Sequence, residues 1–150
     1  MINFPLMKYL LVLTTLLASA FMLSAADSSG VTFVGHDKVA AALAKGGQLV
    51  TASDLKVSGS HREKAGQVEV HDKETDVMYV VDGEATLVTG GTVVGLKRTK
   101  ADQSLGDGVK GGEAHHLTKG DVIVIPAGVP HWFKEVPKTV SYYVIKVMKQ

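Results

Sequence analysis

The 150-residue chain has no cysteine. That removes disulfides, thiolate zinc sites and cysteine nucleophiles from consideration, and a lipid-modified cysteine anchor with them. Folding therefore does not depend on the redox state of the surrounding compartment. An excess of charge of one sign is lacking too. The formal net charge is +1, and no basic patch with interleaved aromatics marks a nucleic-acid surface. No Ser-His-Asp arrangement, phosphate-binding loop, heptad pattern or solenoid repeat can be made out. What remains is a chain long enough for one domain with a real core.

The N-terminus is scarce in charge: Lys8 is the only charged residue before Asp27. Tyr9 to Leu23 is almost wholly apolar, and the small residues Ser24-Ala25-Ala26 follow. A positive start, an apolar run and a small-residue end describe a secretory signal peptide over residues 1–26. Cleavage is expected after Ala26, with Ala25 or Ala20 as alternatives. The run is short for a membrane span of roughly 20 residues, and an uncleaved anchor is the alternative reading. Removing 1–26 takes away one lysine and no acid, which leaves basic and acidic side chains equal in number. The mature protein is expected to be periplasmic or secreted, with a flexible segment over 27–35 ahead of one domain over 36–150.

Residues 37–45 are rich in helix formers; Asp37 can cap their start and Gly46 can end them. Beyond them the pattern is strand and turn. Leu55–Ser60 and Gln67–His71 alternate, and Asp76–Val81 is rich in β formers. Asp82-Gly83 signals a tight hairpin, with Glu84–Thr89 as the return strand. Gly90-Gly91 marks a second turn, with Thr92–Gly95 extended after it. Residues 97–113 hold few large apolar side chains and read as a surface loop. A short strand over 114–117 is followed by strands over Val122–Ile125, His131–Val136 and Thr139–Met148. Many short strands at close spacing predict a sandwich or closed barrel of roughly six to ten strands.

One segment carries more information than the rest. Gly120 to His131 reads as an apolar β-branched strand that runs into Pro126-x-Gly128 and then a histidine. This spacing, G-x5-P-x-G-x2-H, resembles the second sequence motif of the cupin superfamily. Upstream, Glu69, His71, Asp76 and Gly83 resemble the first motif, which has the form H-x-H, three or four residues, E, six residues, G. Glu69 stands at the first histidine position, His71 at the second, Asp76 at the glutamate and Gly83 at the closing glycine. The resemblance spans residues 69–131 and is closest to small single-domain secreted bacterial cupins. It implies an all-β, cupin-type jelly-roll barrel with one short N-terminal helix, and a homodimer as the default assembly. It also implies Glu69, His71, Asp76 and His131 as ligands of a divalent metal ion such as Mn, Fe, Zn or Ni.

Strand geometry supports the same grouping. Residues two apart share a face, so Glu69 and His71 project together. The polar stretch Asp72–Thr75 can reverse the chain and bring Asp76 onto the next strand near His71. Met78 and Val80 share the face of Asp76, and Phe133 and Glu135 share the parity of His131. Nitrogen and carboxylate donors suit the metals named, and the extra carboxylate favours a harder cation over copper. Glu135 is a candidate catalytic base or a salt-bridge partner. His36 is expected at the start of the helix, only one of His115 and His116 can face inward, and His61-Arg62 reads as solvated strand polarity or an anion contact at the barrel mouth. Trp132 and Tyr142-Tyr143 read as core or interface aromatics. Two functions fit: a metal-dependent enzyme on a small organic molecule (a dioxygenase, isomerase, decarboxylase or lyase), or a non-catalytic binding module of the periplasm for a small ligand or metal. A cupin kept only for assembly is a third. Fold alone does not choose between them.

Overall fold

Alternating side chains drive most of the chain into strands, and one long strand ties them together. The computed structural model describes residues 30–149; the expected leader 1–26 lies outside the described residues. The unit that carries the site begins at Phe33. Helix α1, His36–Lys45, comes first. Strands β1 (Gly47–Thr51), β2 (Leu55–Arg62), β3 (Val68–His71) and β4 (Glu74–Thr89) follow, then β5 (Thr92–Val94), β6 (Lys97–Lys100), β7 (Gln103–Gly106) and β8 (Gly108–Lys110). The last are β9 (Glu113–Thr118), β10 (Val122–Ile125), β11 (His131–Glu135) and β12 (Val140–Met148).

One face is built in the order β1-β2-β12-β4-β10 and the other in the order β9-β4-β11-β3-β7-β6, all neighbours antiparallel. A separate ribbon joins β5 to β8. Strand β4 belongs to both faces. Its first half lies between β12 and β10, and its second half lies between β9 and β11. The bend between the halves is at Gly83, where φ is +78° and a Cβ would lie 2.0 Å from the Thr139 carbonyl oxygen. Only glycine fits such a left-handed, crowded position. The expected Asp82-Gly83 hairpin is therefore not formed; pairing on both flanks keeps the strand running, and the glycine transfers it from one sheet to the other.

Between the faces lies a core of Met78, Val80, Ala85, Leu87, Leu117, Ile125, Phe133, Val140 and Tyr142. Fully burying one such side chain contributes about 1.5–3 kcal/mol. Helix α1 covers the outer side of β2, where its backbone at Ala42 comes so near Gly59 that a Cβ there would meet it at 2.7 Å. Asp37 lies in the first turn and does not cap; Gly35 holds that position without a side-chain hydrogen bond. Residues 97–113 are not a loop. They form β6, β7, β8 and the start of β9, strands with polar, exposed or small side chains that carry no apolar alternation.

Candidate metal centre

The register of the second face brings the two motifs together. His131 on β11 pairs directly with Glu69 on β3, so their side chains share a face, and His71 follows two residues on. The Asp72-Lys73 turn delivers Glu74 and Asp76 on β4. The two imidazole rings lie 5.2 Å apart, centre to centre. His71 Nε2 is 3.3 Å from Glu69 Oε2 and 3.7 Å from Asp76 Oδ2. His131 Nε2 is 3.6 Å from the same Asp76 oxygen. All four of the expected metal residues thus lie in one place, and His71, Asp76 and His131 are buried.

Two overlapping donor groups result: Glu69 with His71 and His131, and His71 with Glu74 and Asp76, each having its donor atoms within 4.8 Å of one another. The donor set fits a divalent ion on one observation in particular. His71 Nε2 is buried and has no hydrogen-bond partner, although a buried polar atom without a partner costs about 1–3 kcal/mol. Near it, the His71 imidazole, with His131 and Arg62 adding to its effect against burial, holds the Glu69 carboxyl down to about 2. Burial pushes His131 below its ordinary value, so near neutral pH its Nε2 keeps a free lone pair. Its Nδ1 lies 3.2 Å from the Val129 carbonyl, which can accept a hydrogen bond from it and so orient the ring.

Several residues of the centre were not expected. Lys146 on β12 pairs with Asp76 across the ladder and donates to both of its carboxylate oxygens, at 2.8 and 3.0 Å. It also reaches Glu74 Oε2 at 3.0 Å, while Lys56 donates to Glu74 Oε1 at 2.6 Å. Burial works against ionisation of Glu74, but the two ammonium groups outweigh it and hold the carboxyl below its usual range. Arg62 lies inside too. Its Nε donates to the Tyr142 hydroxyl at 2.9 Å, its Nη2 contacts Glu69 at 3.3 Å, and its guanidinium sits 4.6 Å from the centre of the Phe133 ring. Burial pushes the Tyr142 phenol up. The sequence signal for these groups was available: Lys56, Ser58, Ser60 and Arg62 occupy one parity of β2, and Lys146 interrupts an apolar strand.

Glu135 does not join the centre. A bulge between Phe133 and Glu135 sets Phe133 opposite Leu87 but Glu135 opposite Thr86. The extra residue shifts the parity, and Glu135 ends exposed on the other side. His61 lies 2.8 Å from the Ser141 hydroxyl. Of the adjacent pair, His115 is half-buried, 2.9 Å from the Thr89 hydroxyl, and His116 is exposed. A cavity of about 180 Å³ opens beside the centre, lined by Arg62, Glu69, His131, Phe133, Tyr142 and Lys146 among others.

The family model described as Cupin matches residues 53–149. Among curated proteins none matches the chain. Among solved structures, a Bacillus halodurans protein is 17% identical over 83% of this chain and 86% of its own, with a TM-score of 0.56. An RmlC-like cupin family protein with a double-stranded β-helix fold, from Methanocaldococcus jannaschii, is 14% identical over 67% of this chain and 76% of its own, with a TM-score of 0.48. Peruvianin-I, a cysteine peptidase from Thevetia peruviana latex, is 15% identical over 65% of this chain, with a TM-score of 0.44; the chain spans 52% of it. At such identities the likeness is one of fold.

Proposed function

The chain belongs to the cupin family, and we propose that it is an exported small cupin that holds a divalent metal through Glu69, His71 and His131 and receives a small organic molecule beside it. One observation carries the reading: the partnerless, buried Nε2 of His71, set among an ionised carboxylate and a second imidazole. Such an ion supplies a Lewis acid with open positions for a ligand. The charges of the cavity favour an acidic ligand. Three carboxylates (Glu69, Glu74, Asp76) are already matched by Arg62, Lys56 and Lys146, so a divalent ion adds positive charge that the side chains do not neutralise. The cavity of about 180 Å³ is below the range of drug-sized sites, roughly 300–1,000 Å³, which suits a small acid. Whether the ligand is turned over or only held is the choice between enzyme and binding module. Among the described residues no carboxylate outside the donor groups lines the cavity to serve as a separate base.

The leader-like N-terminus supports export to the periplasm or beyond. Assembly as a homodimer is supported by the outer side of β4 and β10, where Tyr79, Val122 and Val124 are exposed together. Light scattering of the purified protein reads the mass, and Val124→Glu should give the monomer. The metal reading is tested by elemental analysis of the protein after reconstitution with Mn, Fe, Zn and Ni. Stoichiometric metal that both His71→Ala and His131→Ala lose is expected. Metal-free wild type after every reconstitution overturns it.

A further inference from the structure

Asp76 stands at a ligand position of the first motif, yet its carboxylate is already engaged. Lys146 Nζ contacts Oδ1 at 2.8 Å and Oδ2 at 3.0 Å, and this Oδ2 is the atom that faces both imidazoles. The contact is fixed by the fold, because Lys146 and Asp76 are direct partners across β12 and β4 and share a face. It is also enclosed: the side chains are 21% and 3% exposed. Lys56 takes one oxygen of Glu74 and leaves the other to Lys146. Two lysines and two carboxylates thus form a continuous series, Lys56–Glu74–Lys146–Asp76, whose Lys146–Asp76 end lines the cavity.

We infer that Lys146 is a built-in cation that withholds Asp76 from the metal and thereby sets how tightly Glu69, His71 and His131 hold it. Two effects act in the same direction. An ammonium on both oxygens reduces the donor strength of Asp76, and its charge repels a divalent ion a few ångströms away, where interactions are much stronger than in bulk water. The site then works with three protein donors and a weaker grip. Replacing the ammonium by an apolar chain of similar length frees Asp76 as a fourth donor.

The inference rests on the metal reading above, and the experiment separates the two. Zn(II) alone, and Mn(II) alone, is titrated by calorimetry into metal-stripped wild type, Lys146→Met, Lys146→Arg and the double variant Asp76→Asn/Lys146→Met. Lys146→Met should bind about tenfold tighter or more, Lys146→Arg should stay near wild type, and the double variant Asp76→Asn/Lys146→Met, which removes one charge of each sign, should stay within about twofold of it. Equal or weaker binding by Lys146→Met overturns the inference and leaves the metal reading in place. No binding by wild type or by Lys146→Met overturns both. Should Lys146→Met fail to fold, the double variant decides: an affinity loss of about tenfold or more with the local charge unchanged means that Asp76 is already a ligand and overturns the inference.

Discussion

Replacing Gly83 with alanine tests how much of the architecture hangs on one bend. At Gly83 φ is +78°, and an added Cβ would lie 2.0 Å from the Thr139 oxygen and 3.1 Å from the Val140 Cα, both backbone atoms that cannot swing aside. The left-handed conformation costs an L-residue about 1–2 kcal/mol. Relieving the clash moves Thr139 away, which loses its hydrogen bond with the Glu84 N–H, 3.2 Å in the native fold, at about 1 kcal/mol. It also loosens Val140, which is fully buried, at about 1–2 kcal/mol, part of what its full burial contributes. The smaller entropy of the unfolded chain returns about 0.4–1 kcal/mol. The net loss is about 3–4 kcal/mol, or a fall in Tm of roughly 10–15 °C for a domain of this size. Gly90→Ala is the control, since φ is +72° there but nothing lies within 4 Å of the added Cβ. It should cost only the conformational part, about 1 kcal/mol. Thermal unfolding of both variants followed by circular dichroism makes the comparison. Equal losses would refute the claim that close approach to Thr139, and not the dihedral angle alone, requires glycine at position 83.

Acid stability should report on Glu69. Its folded value, about 2, lies below its ordinary value of 4.5, so its contribution is complete above about pH 4.5 and is lost as the pH falls towards 2. In metal-free protein, Glu69→Gln should flatten the urea midpoint across that window by on the order of 2 kcal/mol, and parallel curves would contradict the assignment. Arg62→Met takes one donor from Glu69 and one from the Tyr142 hydroxyl and removes the contact with Phe133. A cost of about 2–3 kcal/mol in urea denaturation is expected. Arg62→Lys should recover less than half of it, because an ammonium cannot make the forked contact; full recovery would show that charge alone matters there. In metal-free protein His71→Leu should cost about 1–2 kcal/mol near neutral pH, since the ring that holds the Glu69 carboxyl down is lost, less the relief of the partnerless Nε2. Added metal at about a hundred times its Kd should stabilise wild type by about 2.7 kcal/mol and leave His71→Leu unmoved, read as a thermal shift.

The two motifs were legible because they rest on short-range geometry. Glu69 and His71 share a face by strand period, and the Asp72-Lys73 turn places Asp76 beside them. What the sequence hid followed from tertiary context. On β2 the apolar parity faces outward under α1, and the polar parity faces the centre: Ser60 and Arg62 line the cavity, and Lys56 and Ser58 line an opening beside His71 and Glu74. A reader who assumes apolar-in therefore assigns Arg62 to solvent. Lys146 looks like a strand-end surface lysine until its partner across the ladder is known. Asp-Gly means a hairpin only where the flanking strands pair with each other, and here each half of β4 finds other partners. The bulge after Phe133 leaves no sign in composition, so parity counted through it misplaces Glu135. Strand β6 is exposed at every position, and exposed strands lack the apolar alternation by which strands are recognised.

The passage of β4 through both sheets has a consequence for how the molecule opens. Backbone hydrogen bonds flank this strand on both sides for most of its length, so neither sheet can separate from the rest without breaking the same strand. Its amides should exchange with deuterium only through global unfolding, while those of the β5–β8 ribbon and the β6 edge exchange through local fraying. Asp76 sits on this segment, so its pairing with Lys146 across β12 should persist until the whole fold is lost.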